Sequence, residues 1–537
     1  MGIPSYFSYI VRNHRNIIKP LVISADSPKI NNLYLDCNSF IYEAHQNLIK
    51  TSSGKDINVQ LYEENIIKQV CESLIKMIKH LQPNKRVLIA FDGVAPMAKL
   101  DQQRNRRYMA AYQKLLSGKP ASEWNTAAIT PGTAFMQKLG MAITKRFQNP
   151  REFGLETIIV SSSAEPGEGE HKIYEYIREH PDYHRQSQTI IYGLDADLIM
   201  LTLNHLHISE HLYLYRETPE FIKTIDRTLN PNENYLLDIP LFAKTIINEL
   251  APQPFATMKL DNDILFDYIL LCFFLGNDFL PHFPALNIRT TGIDHLLNAY
   301  KFVFAGSKET LTRGREIIWK NLRKFIAHLA TNELDYIKDE YVQREKASKR
   351  LQYQRPEAHT QVDKQDENLL LPLKERAQEI YINPLDAGWE ARYYKVLFQT
   401  AIDDDRRKEI STNYLAGLEW TMKYYSTGCA DWRWQYHYHY PPLLVDLLKY
   451  VPYFEHTFVP LQPKRPVSPL AQLSYVLPPA SMELIPYALH KKLLTEQPDW
   501  YVHDYVFVWA FCKFFWEAHV ELPTIEMDVL ETIVKVY

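Results

Sequence analysis

Cysteine is scarce: Cys37, Cys71, Cys272, Cys429 and Cys512 are spread along 537 residues with no CxxC pair. That spacing offers neither a zinc finger nor a disulfide framework, and it suits a reducing compartment. No charge sign dominates either, since 60 Lys and Arg face 64 Asp and Glu for a net charge of −4. A basic coat that binds nucleic acid non-specifically is thereby excluded, although a local patch is not. Long hydrophobic runs are missing. The longest clean one, 268–275, is far short of the roughly 20 residues that a bilayer requires. MGIPSYFSYIVRNHR has no long apolar core, so no signal peptide is expected. Tyr6 stands where a myristoylation signal wants Ser or Thr, so Gly2 is not expected to be acylated. There is no GxSxG, no Walker-type GxxxxGK[ST] and no HExxH. With 46% apolar and 23% charged residues the chain can bury a large core, and the expectation is a soluble intracellular protein.

What is present begins with alternation. Short apolar runs at 33–35, 87–91, 157–160, 189–192 and 211–215 are separated by helical patterns such as 63–81, 98–116 and 171–179. Strand and helix in repetition predict an α/β fold with a mostly parallel central sheet flanked by helices. Ligands in such sheets bind beyond the carboxyl ends of the strands. From 322 to 375 the chain is highly charged and reads as a solvated helix running into a loose connector. The piece REKASKR within it is better read as a solvated helix face than as a localisation signal. Residues 376–537 are rich in Trp, Tyr and Pro with apolar helical patches. The parse is a core, 1–321, a charged connector, 322–375, and a helical second block, 376–537.

Acids gather at the edges of the apolar segments. Asp36 ends LYLD and Asp92 ends VLIAFD, while Asp195 and Asp197 follow TIIYGL. Glu168 and Glu170 lie in EPGEGEHKI just before a helix, and Asp278 follows a strongly apolar helical run in FLGNDFLPH. Any one of them is unremarkable, because turns and helix caps use Asp constantly. If the strands are parallel neighbours, however, at least four converge on one rim. Converging like charges raise one another's pKa values unless a cation sits among them. Hard oxygen donors around an open cleft suit Mg²⁺ or Mn²⁺. Two such ions clamp both the attacking and the leaving oxygen of a phosphodiester.

Directly after Asp92 comes GVAPMAKLDQQRNRR. Residues 85–107 hold six basic side chains against two acidic ones. Lys99, Gln103, Arg106 and Arg107 follow i, i+4, i+7, i+8 and share one helix face. Ammonium and guanidinium groups there suit a terminal phosphate. In the second block, GLEWTMKYYSTGCADWRWQYHYHYPP is dense in rings. Most such rings build cores, although one or two could serve as platforms on which bases stack.

Taken together, these segments resemble the 5′→3′ exoribonuclease family, the large eukaryotic enzymes that degrade 5′-monophosphorylated RNA. The resemblance runs through MGIPSYFSYI, LYLDCNSF, FDGVAPMAKLDQQRNRR, ITPGTAFM, EPGEGEHKI, YGLDADLIML and FLGNDFLPHFP. In the second block it continues through AGWEARYY, YLAGLEWTMKYY, WRWQYHYHYPP and PLAQLSYVLPPASMELIP. It implies a PIN-like, flap-nuclease-like core closed by the second block. It implies a two-ion Mg²⁺ site, which Mn²⁺ can also fill, on Asp36, Asp92, Glu168, Glu170, Asp195, Asp197 and Asp278. It also implies a 5′-phosphate pocket on Lys99, Gln103, Arg106 and Arg107, and processive release of nucleoside 5′-monophosphates from single-stranded RNA. Tyr42 stands where the family usually has a base-stacking His, and Ala134 where it generally has Glu. The second stacking ring falls on Trp432 or Trp434.

The resemblance leads us to expect a cytoplasmic or nuclear monomer acting in RNA decay, with no membrane and no small-molecule cofactor. The long C-terminal extensions of the large cytoplasmic members are absent from this sequence, so partners that dock on them are not implied. A DNA flap endonuclease and an inactive RNA-binding scaffold are the competing readings. The QQRNRR segment and the second block weigh against the first, and the full set of seven acids weighs against the other.

Overall fold

All five strands marked by the apolar runs form, side by side, in the computed structural model. The structure describes residues 2–21, 29–51, 58–117, 124–251, 261–304, 306–353 and 369–537. A seven-stranded sheet runs in the order β1-β7-β6-β5-β2-β3-β4. Its strands are β1 (Ile18–Pro20), β2 (Asn32–Asp36), β3 (Arg86–Ala90), β4 (Thr157–Ser161), β5 (Thr189–Tyr192), β6 (Leu212–Glu217) and β7 (Asn234–Leu237). β2 to β6 pair parallel, with Leu35 opposite Tyr192 and Asp36 opposite Ala90. β7 and β1 add an antiparallel edge. The apolar pattern missed both. β1 is three residues long and ends in Pro20, and β7 is half polar.

Helices cover both faces, which is why the central strands read as nearly continuous apolar runs. We label α1 (Tyr6–Asn13), α2 (Asn38–Thr51), α3 (Val59–Leu81), α4 (Met97–Ser117), α5 (Ala134–Arg146), α6 (Gly169–Glu179), α7 (Asp197–His205), α8 (Asn262–Phe273), α9 (Trp319–Tyr353), α10 (Asp404–Ser426) and α11 (Pro469–Val476). Leu33, Leu35, Val87 and Ile89 point to one face and pack with Phe40, Val70, Leu74 and Phe135 from α2, α3 and α5. Tyr34, Leu88 and Ile191 point to the other, toward Ile173, Leu198 and Ile269 from α6, α7 and α8. That second cluster continues without a break through Tyr414, Leu418 and Trp420 of α10. A third cluster joins Val94, Met97 and Leu100 at the start of α4 to Leu473 and Val476 of α11. The second block therefore packs on the core along two seams.

α9 corrects the expectation of a solvated connector helix. Leu322, Phe325, Ile326, Leu329 and Ile337 are buried, and so are several of its charged groups, each provided with partners. Glu333 accepts the backbone N–H groups of Leu444 (2.7 Å) and Val445 (3.1 Å). Glu340 accepts from Asn287 and Thr290. Arg344, within REKASKR, is buried against Glu379, which also meets Arg376 at 2.8 Å. A charge count cannot see that these charges are paired inside the protein. Residues 354–368 of the expected connector lie outside the described residues.

Candidate active site

The strand ends carry the acids to one place. β2 closes on Asp36, and its neighbour β3 leads two residues on to Asp92. Between their carboxylates sits the first residue of α6, Gly169. Its N–H donates to Asp92 Oδ1 at 2.7 Å, and a Cβ there would lie 2.6 Å from Asp36 Oδ1. Glycine is needed for this close approach. Glu168 caps α6 and Glu170 is in its first turn, where the helix dipole favours negative charge. Beyond β5 come Asp195 and then Asp197, the first residue of α7. Asp278 follows α8 in a turn held by Asn277, whose Oδ1 accepts the N–H groups of Phe279 and Leu280, both at 2.9 Å.

Burial of these acids shows in their protonation. Burial, then the charges of Asp92, Asp195 and Glu168, push Asp36 well above the usual carboxylate range. Glu170 is raised likewise by burial and by Asp197, Asp195 and Glu168. Asp197 is pushed up to about 7 by burial and then by Asp278. Asp278 moves the other way: burial opposes it, but the Lys99 ammonium, with Arg106 behind, holds it low. Lys99 Nζ lies 2.7 Å from Glu168 Oε2 and also pairs with Asp278. Like charges are thus packed around one internal cation.

The donor set is entirely carboxylate. Glu170 Oε2 and Asp197 Oδ1 are buried and, among the described residues, have no hydrogen-bond partner. These residues fit a hard divalent cation. Among the described residues, no three acids are closed into a preformed ligand shell, and Lys99 supplies positive charge at one end of the cluster.

The basic face of α4 continues from Lys99. Among the described residues, Gln103 Oε1 and Arg107 Nε are buried without hydrogen-bond partners, and Arg106 is exposed. Arg104, between them in sequence, turns away and donates to the carbonyls of Pro523 (2.7 Å) and Trp500 (3.2 Å). The basic run therefore divides between an open face and a tie to the second block.

Comparison with known proteins extends this over the whole length. Residues 1–218 match the family model described as the XRN 5′-3′ exonuclease N-terminus, and residues 258–383 and 374–537 match that of the Xrn1 helical domain. The chain belongs to the XRN 5′-3′ exonuclease family. It is 26% identical to the 5′-3′ exoribonuclease 2 homolog of Drosophila melanogaster, over 100% of this chain and 71% of that one. It is 27% identical to 5′-3′ exoribonuclease 1 of Homo sapiens, over 99% of this chain, and to that of Saccharomyces cerevisiae, over 94%. It spans only 34% and 41% of the length of those two relatives. The T5 D15 protein, crystallised with metal ions, overlays at a TM-score of 0.27 and 9% identity, covering 58% of this chain and 92% of its own.

In this XRN-family site several residues had escaped the motif search. Asn38 Nδ2 donates to Asp92 Oδ2 at 2.5 Å, and its Oδ1 accepts the Asp92 N–H. Gln102 Nε2 donates to Asp278 Oδ1 at 2.5 Å. Tyr424 of α10 donates its hydroxyl to Glu168 Oε1 at 3.0 Å, and its ring stacks on His171 at 3.7 Å. Lys172 donates to the carbonyls of Phe91 and Ser162, both at 2.8 Å. Asn38 and Gln102 adjoin motif residues and were within reach of inspection. Tyr424 lies 256 residues from Glu168 and carries no local signal.

The XRN-type stacking candidates are placed differently from one another. Tyr42, on α2, is 48% exposed. Trp432 is 6% exposed, and its carbonyl accepts the Met97 N–H at 3.0 Å. Trp434 is half-buried and stacks on Trp420 at 5.2 Å. Of the two tryptophans, Trp434 keeps the more accessible ring. Ala134 is exposed at the start of α5, which Thr133 caps.

Proposed function

We propose that this XRN-family 5′→3′ exoribonuclease shortens single-stranded RNA bearing a 5′-monophosphate, processively, releasing nucleoside 5′-monophosphates in RNA decay. The proposal extends to a divalent cation, Mg²⁺ with Mn²⁺ as its substitute, held by Asp36, Asp92, Glu168, Glu170, Asp195, Asp197 and Asp278. It takes the protein to act as a monomer in the cytoplasm or nucleus. One observation carries the reading: a single helix, α4, touches the acids at Lys99 and presents Gln103 one turn on and Arg106 and Arg107 two turns on. Seven or eight residues of helix rise roughly 10–12 Å. Terminus recognition and bond cleavage are therefore set by one rigid element.

In this reading the 5′-phosphate docks on Arg106, Arg107 and Gln103, through forked, charge-assisted hydrogen bonds. Tyr42 stacks on a base near the end of the chain. Glu168, oriented by Tyr424, and Asp92, oriented by Asn38 and the Gly169 N–H, keep fixed lone pairs facing the scissile phosphate. Bound divalent ions would supply a water of lowered pKa and offset charge on that phosphate. The acids, Lys99 and the covering second block exclude bulk water from it.

The test is a time course on one 3′-labelled RNA with a 5′-monophosphate, 5′-triphosphate or 5′-hydroxyl, in Mg²⁺, beside an Asp195→Ala, Asp197→Ala double variant. Only the monophosphorylated RNA should disappear, without intermediates, and the double variant should be inert. Discrete internal products from all three RNAs would overturn the 5′-end reading in favour of an endonuclease. Binding without cleavage would favour a scaffold.

A further inference from the structure

A cavity of about 650 Å³ opens beside α4 and shares Arg106 with the basic face of that helix. Its volume falls within the roughly 300–1,000 Å³ typical of sites that enclose small molecules. Its inner end reaches the acids, because Gln102 and Asp278 both line it. Ala98 and Asn105 continue that wall along α4, while Lys99, Gln103 and Arg107 are absent from it. The opposite wall comes from the second block and includes His439 and His519.

A processive exonuclease that works from the chain end has a traffic problem. The remaining RNA fills the way in, so each released nucleotide must leave by another route or wait for the chain to dissociate. We propose that this cavity is that route, an exit chamber that receives the nucleoside 5′-monophosphate after each cleavage. The inference rests on the processive exonuclease reading and adds to it a second, transient nucleotide site.

The lining has the chemistry of a transient site. Four imidazoles face the cavity: His437 meets the Gln435 amide at 3.4 Å, while His282, His439 and His519 have no hydrogen-bond partner among the described residues. The rings of His439 and His519 lie nearly parallel, 4.8 Å apart at 15°. Burial lowers His282 and His439 to about 4 and His519 well below its ordinary value, so all three are neutral near pH 7. A neutral imidazole offers one donor and one acceptor and can exchange them between its nitrogens. It therefore meets the edge of any base without selecting one.

Fixed positive charge is sparse here. Arg289 is paired with Glu517 and Arg104 is tied to the carbonyls of Pro523 and Trp500, which leaves Arg106, among the described lining residues, as the cation facing a departing phosphate. Little holds the product back, and release needs that weakness.

Filling the chamber tests the inference. His519→Trp adds bulk to its wall without touching the acids or the phosphate face. In a single-turnover experiment on 5′-labelled, 5′-monophosphorylated RNA, cleavage of the first nucleotide, read after denaturing quench, should stay within about twofold of wild type. Steady-state degradation should slow about tenfold or more, with a burst of one nucleotide per enzyme before the slow phase. His439→Trp should behave alike, and serves if His519→Trp does not fold. Added AMP at millimolar concentration should slow wild-type steady-state degradation and leave its first turnover unchanged. Wild-type steady-state rates in both Trp variants would overturn the exit chamber alone. So would equal losses in the first turnover, which would make the cavity part of the substrate path. A wild-type protein that released no nucleotide from any RNA would overturn the exonuclease reading, and the chamber with it.

Discussion

Replacing Lys99 with methionine should destabilise the metal-free protein strongly and the metal-bound protein weakly. The Lys99 ammonium is buried between Glu168, at 2.7 Å, and Asp278. Without it, two buried carboxylates must stay charged and uncompensated or take up protons. Protonating a carboxylate of ordinary pKa near 4 at pH 7 costs about 4 kcal/mol, at 1.36 kcal/mol per pH unit. Removal of one partner from other buried ion pairs destabilises by about 3–5 kcal/mol, so the two routes agree. At roughly 2–4 °C per kcal/mol for a mid-sized domain, Lys99→Met should lower the melting temperature by roughly 6–20 °C in EDTA. In millimolar Mg²⁺ the ion replaces the lost charge, and the gap between variant and wild type should shrink by half or more. The assay is thermal unfolding of both proteins in EDTA and in Mg²⁺, at pH 7. An equal gap under both conditions would refute the idea that Lys99 stands in for a cation. No gap in EDTA would mean that the acids are not held together by it at all.

Three further outcomes are expected. Tyr424→Phe removes the hydroxyl that orients Glu168 and should raise the Mg²⁺ concentration for half-maximal cleavage about 10–100-fold, as loss of an outer hydrogen-bond partner does elsewhere; a titration of single-turnover rate against Mg²⁺ reads it. Gly169→Ala places a methyl 2.6 Å from Asp36 Oδ1 and should abolish cleavage while circular dichroism stays that of a folded protein; retained activity would contradict the close approach. Acid should destabilise the fold through His282 and His439, whose folded pKa of about 4 lies below the unfolded value near 6.5. Between those values only the unfolded chain binds the proton, so their contribution is intact above pH 6.5 and is lost as pH falls toward 4. At pH 5 each costs no more than about 2 kcal/mol, and His439→Gln should flatten the stability profile from pH 7 to 5 in urea unfolding.

The strands, the acids and the basic face were legible because each is a local pattern. Residues 33–35 and 87–91 are apolar on both faces because helices cover both, and Asp36 and Asp92 follow from where those runs stop. β1 and β7 were not legible, since strands of three and four residues are too short to set a pattern. α9 misled for a related reason. Glu333, Glu340 and Arg344 count as solvated charges until Leu444, Asn287 and Glu379 are brought beside them, and those partners lie 35 to 111 residues away. Arg104 and Arg106 look alike in sequence, and only the packing of the second block separates a tie from an open guanidinium. The orienting hydroxyl of Tyr424 belongs with these. Side chains that carry the chemistry leave local traces here, whereas those that hold them in place come from distant segments.

The Tyr424 contact also bears on the order of events during synthesis. Glu168 leaves the ribosome 256 residues ahead of the hydroxyl that fixes it, and at about 5–20 residues per second that delay is roughly 13–50 s. Tyr6 waits slightly longer for Tyr268, 262 residues on, with which it shares a hydrogen bond at 2.7 Å. Throughout that interval a nascent nuclease, tethered to a message of the very polymer it degrades, holds its acids without their final supports. Glu168 gains its orienting hydroxyl only once the second block has been made.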